Sequence, residues 1–116
     1  MAVVLDSNYA SSLGALAFRT PVWIVDTPPN RAAAEEAWRS AVEWPHITVT
    51  LFRDPGAHPT KDDWRALIEQ LVLHEGALDT VDVLGSAVTL PSRAALAEAG
   101  FTRFDETRDG FRARRA

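Results

Sequence analysis

Val22-Trp23-Ile24-Val25-Asp26-Thr27-Pro28-Pro29-Asn30 decides the fold. Four apolar residues, mostly β-branched, make a run with the length of a strand buried on both faces. A stiff turn with two prolines closes it. Asn30 is placed to cap the next helix, because its short side chain can satisfy an orphan backbone N–H. That helix carries Ala34, Ala37, Trp38, Ala41 and Val42 on one face. Arg31, Glu35, Arg39 and Glu43 recur every four residues on the other, within ion-pair reach. Pro45 ends it.

Working outward, the same alternation repeats. Ala2-Val3-Val4-Leu5 is an earlier apolar run, closed by Asp6-Ser7-Asn8. Ser7 or Asn8 can cap a helix with Tyr9, Leu13, Leu16 and Ala17 at helical spacing, and Pro21 cannot extend it. Downstream, Ile47, Val49 and Leu51 alternate with Thr48, Thr50 and Phe52, the pattern of a half-covered strand near a sheet edge. After the loop 53–59, Thr60 and Asp63 resemble a capping box. Trp64, Leu67, Ile68, Leu71 and Val72 then form an apolar stripe that Gly76 can stop. Val81 to Leu84 predicts a fourth strand, and Pro91 opens a helix to about Ala99. Gly100 stops it, with Phe101 folding back onto Leu96. Asp109-Gly110 predicts a tight turn between two short strands, with Asp105 and Glu106 facing Arg112 and Arg114.

This alternation predicts one α/β domain over residues 1–116, with residues 108–116 as a basic C-terminal arm. The architecture expected is three-layer α/β/α, Rossmann-like or flavodoxin-like. Its sheet would be five-stranded and mainly parallel, with a C-terminal β-hairpin. The two most continuously apolar runs belong at the centre, which favours a strand order of 3-2-1-4-5 and leaves 2-1-3-4-5 open.

Composition narrows the chemistry. The chain has 116 residues, 47% hydrophobic and 24% charged, enough to build a core without metal or disulfide staples. It has no cysteine, which removes disulfide frameworks, thiolate zinc sites, iron–sulfur clusters and cysteine nucleophiles. The net charge of −4 argues against general nucleic-acid binding. That charge is uneven: −7 over residues 1–107 and +3 over residues 108–116, where four arginines lie. Arginines there are expected to pair with Asp105 and Glu106 or to be solvated. Arginine and alanine bias points to a GC-rich bacterial genome. The opening apolar run is too short for a signal core, and no stretch suits a membrane span, so a cytoplasmic protein without membrane contact is expected.

In parallel α/β sheets, ligands bind where the strands end. The residues delivered there are Asp6, Ser7, Asn8, Asp26, Thr27, Arg53, Asp54, His58, Gly85 and Ser86. Asp6, Asp26 and Asp54 follow three successive strands and could hold Mg²⁺, a hard cation that prefers oxygen ligands. The competing reading is that these residues cap helices and form turns. Asp6, Asp54, His58 and Ser86 are the catalytic candidates, with Ser86 and Asn8 positioned for a phosphate. His58 is the one histidine on that rim; His46 opens the third strand and His74 lies near a helix C-terminus. No G-x-G-x-x-G follows the first strand, no phosphate-binding loop motif occurs, and Gly85-Ser86-Ala87 is not a nucleophile elbow.

Two resemblances attach to these residues. Val4-Leu5-Asp6-Ser7-Asn8 looks like the opening of PIN-type nucleases, which implies an acidic residue at the end of the first strand. Asp54 after the third strand and Ser86-Ala87 after the fourth resemble the receiver domain of two-component signalling. That likeness implies a phosphoacceptor at Asp54. The first strand supplies Asp6 alone, and Arg103 stands in the region where receivers carry a lysine, so the resemblance is to a degenerate receiver.

Trp23, Trp38 and Trp64 read as core, whereas Trp44, beside Pro45, and Leu73, off its helix stripe, read as candidates for exposure. Together with an edge strand, these two suit self-association. The leading expectation is a non-catalytic protein-interaction or self-association module with no cofactor. The alternative is a Mg²⁺-dependent phosphoryl-transfer or phosphoacceptor domain using Asp6, Asp26 and Asp54.

Overall fold

A right-handed β-α-β crossover that steps one way across a sheet puts its helix on one face. A crossover that steps back puts its helix on the other. The chain does both. The computed structural model describes residues 1–5, 13–53, 59–76 and 78–115. Along it run β1 (Ala2–Leu5), α1 (Leu13–Ala17), β2 (Val22–Val25), α2 (Pro28–Ser40), β3 (Val49–Phe52), α3 (Lys61–Glu75), β4 (Thr80–Leu84), α4 (Leu90–Glu98), β5 (Phe101–Glu106) and β6 (Gly110–Arg115). A single turn of 3₁₀ helix, Gly85–Ala87, links β4 to α4.

The sheet has the order β3-β2-β1-β4-β6-β5. β1 pairs in parallel with both β2 and β4, and β2 with β3. Two buried clusters lie on opposite faces, as alternating side chains require. Val3, Leu5, Val22, Ile24 and Val49 pack under α1 and α2 through Leu13, Ala17, Ala34 and Ala37. Val4, Trp23, Val25, Phe52, Val81 and Val83 pack under α3 and α4 through Trp64, Leu67, Ile68, Leu71, Ala95 and Leu96. The four parallel strands therefore do lie side by side, with their C-terminal ends on one rim.

The sheet is six-stranded and mixed, which corrects the expected five-stranded, mainly parallel one. The hairpin is the reason. β6 pairs antiparallel with β4 along its whole length, from Thr80 opposite Arg114 to Leu84 opposite Gly110, and β5 lies outside it. Phe111 and Ala113 are fully buried, so residues 110–115 form an interior strand and not a solvated arm. Apolar side chains at alternate positions suit one buried face, and Arg112 and Arg114 between them suit a wet one. Gly110 permits the close approach: a Cβ there would sit 1.9 Å from the Val83 carbonyl oxygen.

Several local signals hold. Thr60 and Asp63 form the reciprocal capping box of α3, and Gly76 ends that helix with φ +63°. α2 begins earlier than expected. Thr27 is its N-cap and the two prolines fill its first turn, where their missing N–H groups cost nothing. Asn30 is instead fully buried, donating to the Val25 carbonyl at 3.0 Å. Salt bridges of Glu98 on α4 with Lys61 (2.6 Å) and Arg65 (2.8 Å) on α3 tie the two helices together.

Candidate functional site

The rim formed by the ends of β1 to β4 is where the carboxylates were expected to converge. Asp6, Asn8, Asp54 and His58 lie outside the described residues. Ser86 belongs to the 3₁₀ turn after β4, with its side chain likewise outside what is described. Asp26 is described, and its carboxylate is engaged. Arg31, on the first turn of α2, donates through Nε to Oδ1 at 3.1 Å and through Nη2 to Oδ2 at 2.5 Å. Asp26 in turn holds the Arg31 guanidinium above its ordinary pKa, through the hydrogen bond first and the charge second. Among the described residues, no group of three or more histidines and carboxylates is placed to hold a metal ion.

Two grooves flank α3. One, of about 330 Å³, runs between α3 and α4 over Ile68, Val72 and Ala95. Most of its charged rim is engaged: Glu98 takes Lys61 and Arg65, and Arg115 donates to the Leu78 carbonyl at 2.8 Å. The other, of about 500 Å³, lies beside β3 and includes Phe52, Arg53, Asp62, Asp63 and Gln70. Asp63 is held below the usual carboxylate range, first by the Thr60 backbone N–H and then by the Thr60 hydroxyl. A carboxylate fixed that way caps a helix and is a poor base.

The opposite rim carries a different surface. α2 ends at Ser40, and a chain of turn hydrogen bonds follows: Trp44 N–H to the Ser40 carbonyl, then Ile47 N–H to the Trp44 carbonyl. Ile47 is buried and anchors the turn. Trp44 and His46 are thereby held outward beside Phe18, which follows α1. The Phe18 ring lies 5.3 Å from Trp44 and 4.9 Å from His46, the latter edge to face. Such pairs prefer tilted geometry because ring edges are positive and faces negative. Phe18 and Trp44 remain 47% and 45% exposed, and Val42, just beyond α2, is 87% exposed.

Trp38 extends this surface, contrary to the expectation that it belongs to the core. It is 40% exposed, and its indole N–H donates to the Val49 carbonyl at 2.9 Å. The reason is the small size of the alanines. Ala34 and Ala37 let α2 sit close to the sheet. A larger side chain on the flank then slides out over the edge strand and covers one of its free carbonyls. Val42 misses the core because the helix ends at Ser40 and Val42 lies in the turn beyond it. Trp23 and Trp64 are buried as expected, with the Trp23 N–H donating to Glu75 at 3.0 Å.

The result is an aromatic cluster of Phe18, Trp44 and His46 beyond the C-terminal end of α2, with Trp38 and Val42 as further exposed apolar side chains on and just after that helix. Sequence reading singled out only Trp44 of these. The two sheet edges also differ. β5 carries Arg103, Asp105 and Glu106 and a register shift between Phe101 and Arg103, features that discourage strand pairing. β3, reading Val-Thr-Leu-Phe, has no charge of its own. Comparison with protein-family models, curated proteins and solved structures gave no match. Among the described residues, no helix is long and apolar enough to cross a membrane.

Proposed function

We propose that the chain is a non-catalytic self-association module, built on a three-layer α/β/α scaffold, that pairs with a second copy through the end of α2. The observation that carries this reading is the clustering of Phe18, Trp44 and His46, ring against ring, with Phe18 and Trp44 half exposed. Single exposed apolar residues are ordinary, but a half-exposed tryptophan packed beside a half-exposed phenylalanine is the kind of side chain that dominates contact energetics. The patch carries no carboxylate or guanidinium. Two copies can therefore meet there without like-charge contact, despite the net charge of −4. Arg39 and Glu43, next in sequence to Trp38 and Val42, are both exposed. A two-fold axis sets the same patch against itself, so the arginine of one copy can meet the glutamate of the other.

Magnesium-dependent chemistry on Asp6, Asp26 and Asp54 would require Asp26 to exchange the Arg31 guanidinium for a metal. Nothing in the described geometry favours that exchange. Sedimentation equilibrium from about 1 to several hundred micromolar tests the proposal, a range matched to a weak contact. The expected result is a monomer–dimer equilibrium that Trp44→Ser and Phe18→Ser each abolish while melting temperatures hold. A monomer at every concentration refutes it.

A further inference from the structure

Sheet faces in α/β proteins are normally covered. Here α1 and α2 cover β1 to β3 on their side and reach β4 only at its last residue, Leu84; the buried residues of that cluster include none from β4, β6 or β5. On that side the other three strands present Thr80, Asp82, Arg112, Arg114, Arg103 and Asp105, as strand alternation and register dictate. Most of these are ordinary for a wet sheet face. Asp82 takes the Arg112 guanidinium in a two-bond pair, at 2.6 Å and 3.1 Å, and Asp105 stands opposite Arg112.

Arg103 and Arg114 are different. They are direct cross-strand partners on β5 and β6. Side chains so placed have Cβ atoms about 5 Å apart, and like charges there are destabilising. Among the described residues neither has an ion-pair partner: Asp82 is taken by Arg112, and Asp105, across from Arg112, forms no salt bridge. The register thus sets two arginines directly across from each other on one face of an acidic protein. A carboxylate-bearing ligand would turn that repulsion into attraction, and two parallel forks suit carboxylates geometrically.

We propose that the open face of β4, β6 and β5 binds an acidic peptide segment of a partner protein, with Arg103 and Arg114 as the paired anchors. This surface is separate from the aromatic patch and does not depend on it. Arg114 stands on the interior strand β6 and Arg103 on the edge strand β5 beside it, so the sheet fixes the spacing of the two backbones.

The test uses the full chain and a fluorescein-labelled oligoglutamate peptide, with an oligoglutamine peptide and a single-stranded oligonucleotide as comparison probes. Fluorescence anisotropy should show oligoglutamate binding that weakens as ionic strength rises from about 20 to 200 mM. The double variant Arg103→Ser/Arg114→Ser should bind about tenfold or more weakly, with far-UV circular dichroism unchanged. A second variant, Arg103→Glu, converts the like pair to an opposite pair. It should lose the peptide and raise the melting temperature by about 2 °C. Equal binding by wild type and the double variant overturns the proposal. So does oligoglutamine binding as tightly as oligoglutamate, preference for the oligonucleotide, or a melting temperature that falls in Arg103→Glu.

Discussion

Stopping the chain after Thr107 should destroy the fold. The deletion removes β6, which stands between β4 and β5. At roughly 0.05–0.15 kcal/mol per residue, a chain of this length has a total stability of about 6–17 kcal/mol. Phe111 is fully buried, its ring 5.9 Å from Phe104 with the Arg93 guanidinium 4.7 Å above it. Losing such a phenylalanine costs about 3–5 kcal/mol. Among the described residues β5 pairs only with β6, so Phe101, also fully buried, loses its support and adds a cost of similar size. These two side chains alone reach the lower half of the stability range, before any ladder hydrogen bond is counted. The assay is thermal and urea unfolding followed by circular dichroism and tryptophan fluorescence. The control is full-length Arg108→Ser/Arg114→Ser, which removes charge and keeps the strand. The control should melt cooperatively near wild type, and the truncated chain should show no cooperative transition. A truncated chain that melts cooperatively with native spectra would show that β6 is dispensable and would refute the topology.

Gly110→Ala should destabilise by about 1–3 kcal/mol, because the new methyl would meet the Val83 carbonyl and β6 would have to move away; urea midpoints measure this. Asp63 and Glu98 are both held below the usual carboxylate range, Asp63 by the Thr60 N–H and Glu98 by the Lys61 and Arg65 side chains. A depressed folded-state value means that the stabilisation is complete above the ordinary range near pH 4 and disappears as pH falls through the lowered values. Melting temperature should therefore drop below about pH 4, and Glu98→Gln should flatten part of that drop while lowering stability at neutral pH. An unchanged acid profile in that variant would contradict the bridge between α3 and α4.

Much of the scaffold was legible because local signals agreed with one another. The runs at Val3 and Val22 are buried on both faces and sit at the centre of the parallel block, as continuous hydrophobicity implies. The capping box at Thr60 and the stop at Gly76 are short-range and were read correctly. What sequence reading missed is long-range. Arg112 lies opposite Asp105 as expected, yet its ion-pair partner is Asp82, thirty residues away. Glu106 pairs with Arg93 and not with the tail. The basic charge of residues 108–116 suggested solvation, while the alternation of Phe111 and Ala113 with Arg112 and Arg114 was the true signal of an interior strand. The surface patch was hidden for a related reason. Trp38 lies one step round the helix from Ala34 and Ala37, over the edge strand β3, and Val42 falls in the turn after the helix has ended at Ser40. Most of the acidic rim lies outside the described residues, so Asp26, bound to Arg31, is the one carboxylate of the three whose environment is known.

Because the chain has no cysteine, a spin label on Val42→Cys reports from one place. Double electron–electron resonance between labelled copies should give a distance shorter than 27 Å, the smallest extent of a single copy. The same label on Leu90→Cys, at the opposite rim, should give a longer one. Absence of intermolecular coupling at Val42, or a shorter distance at Leu90 than at Val42, would contradict the proposed contact.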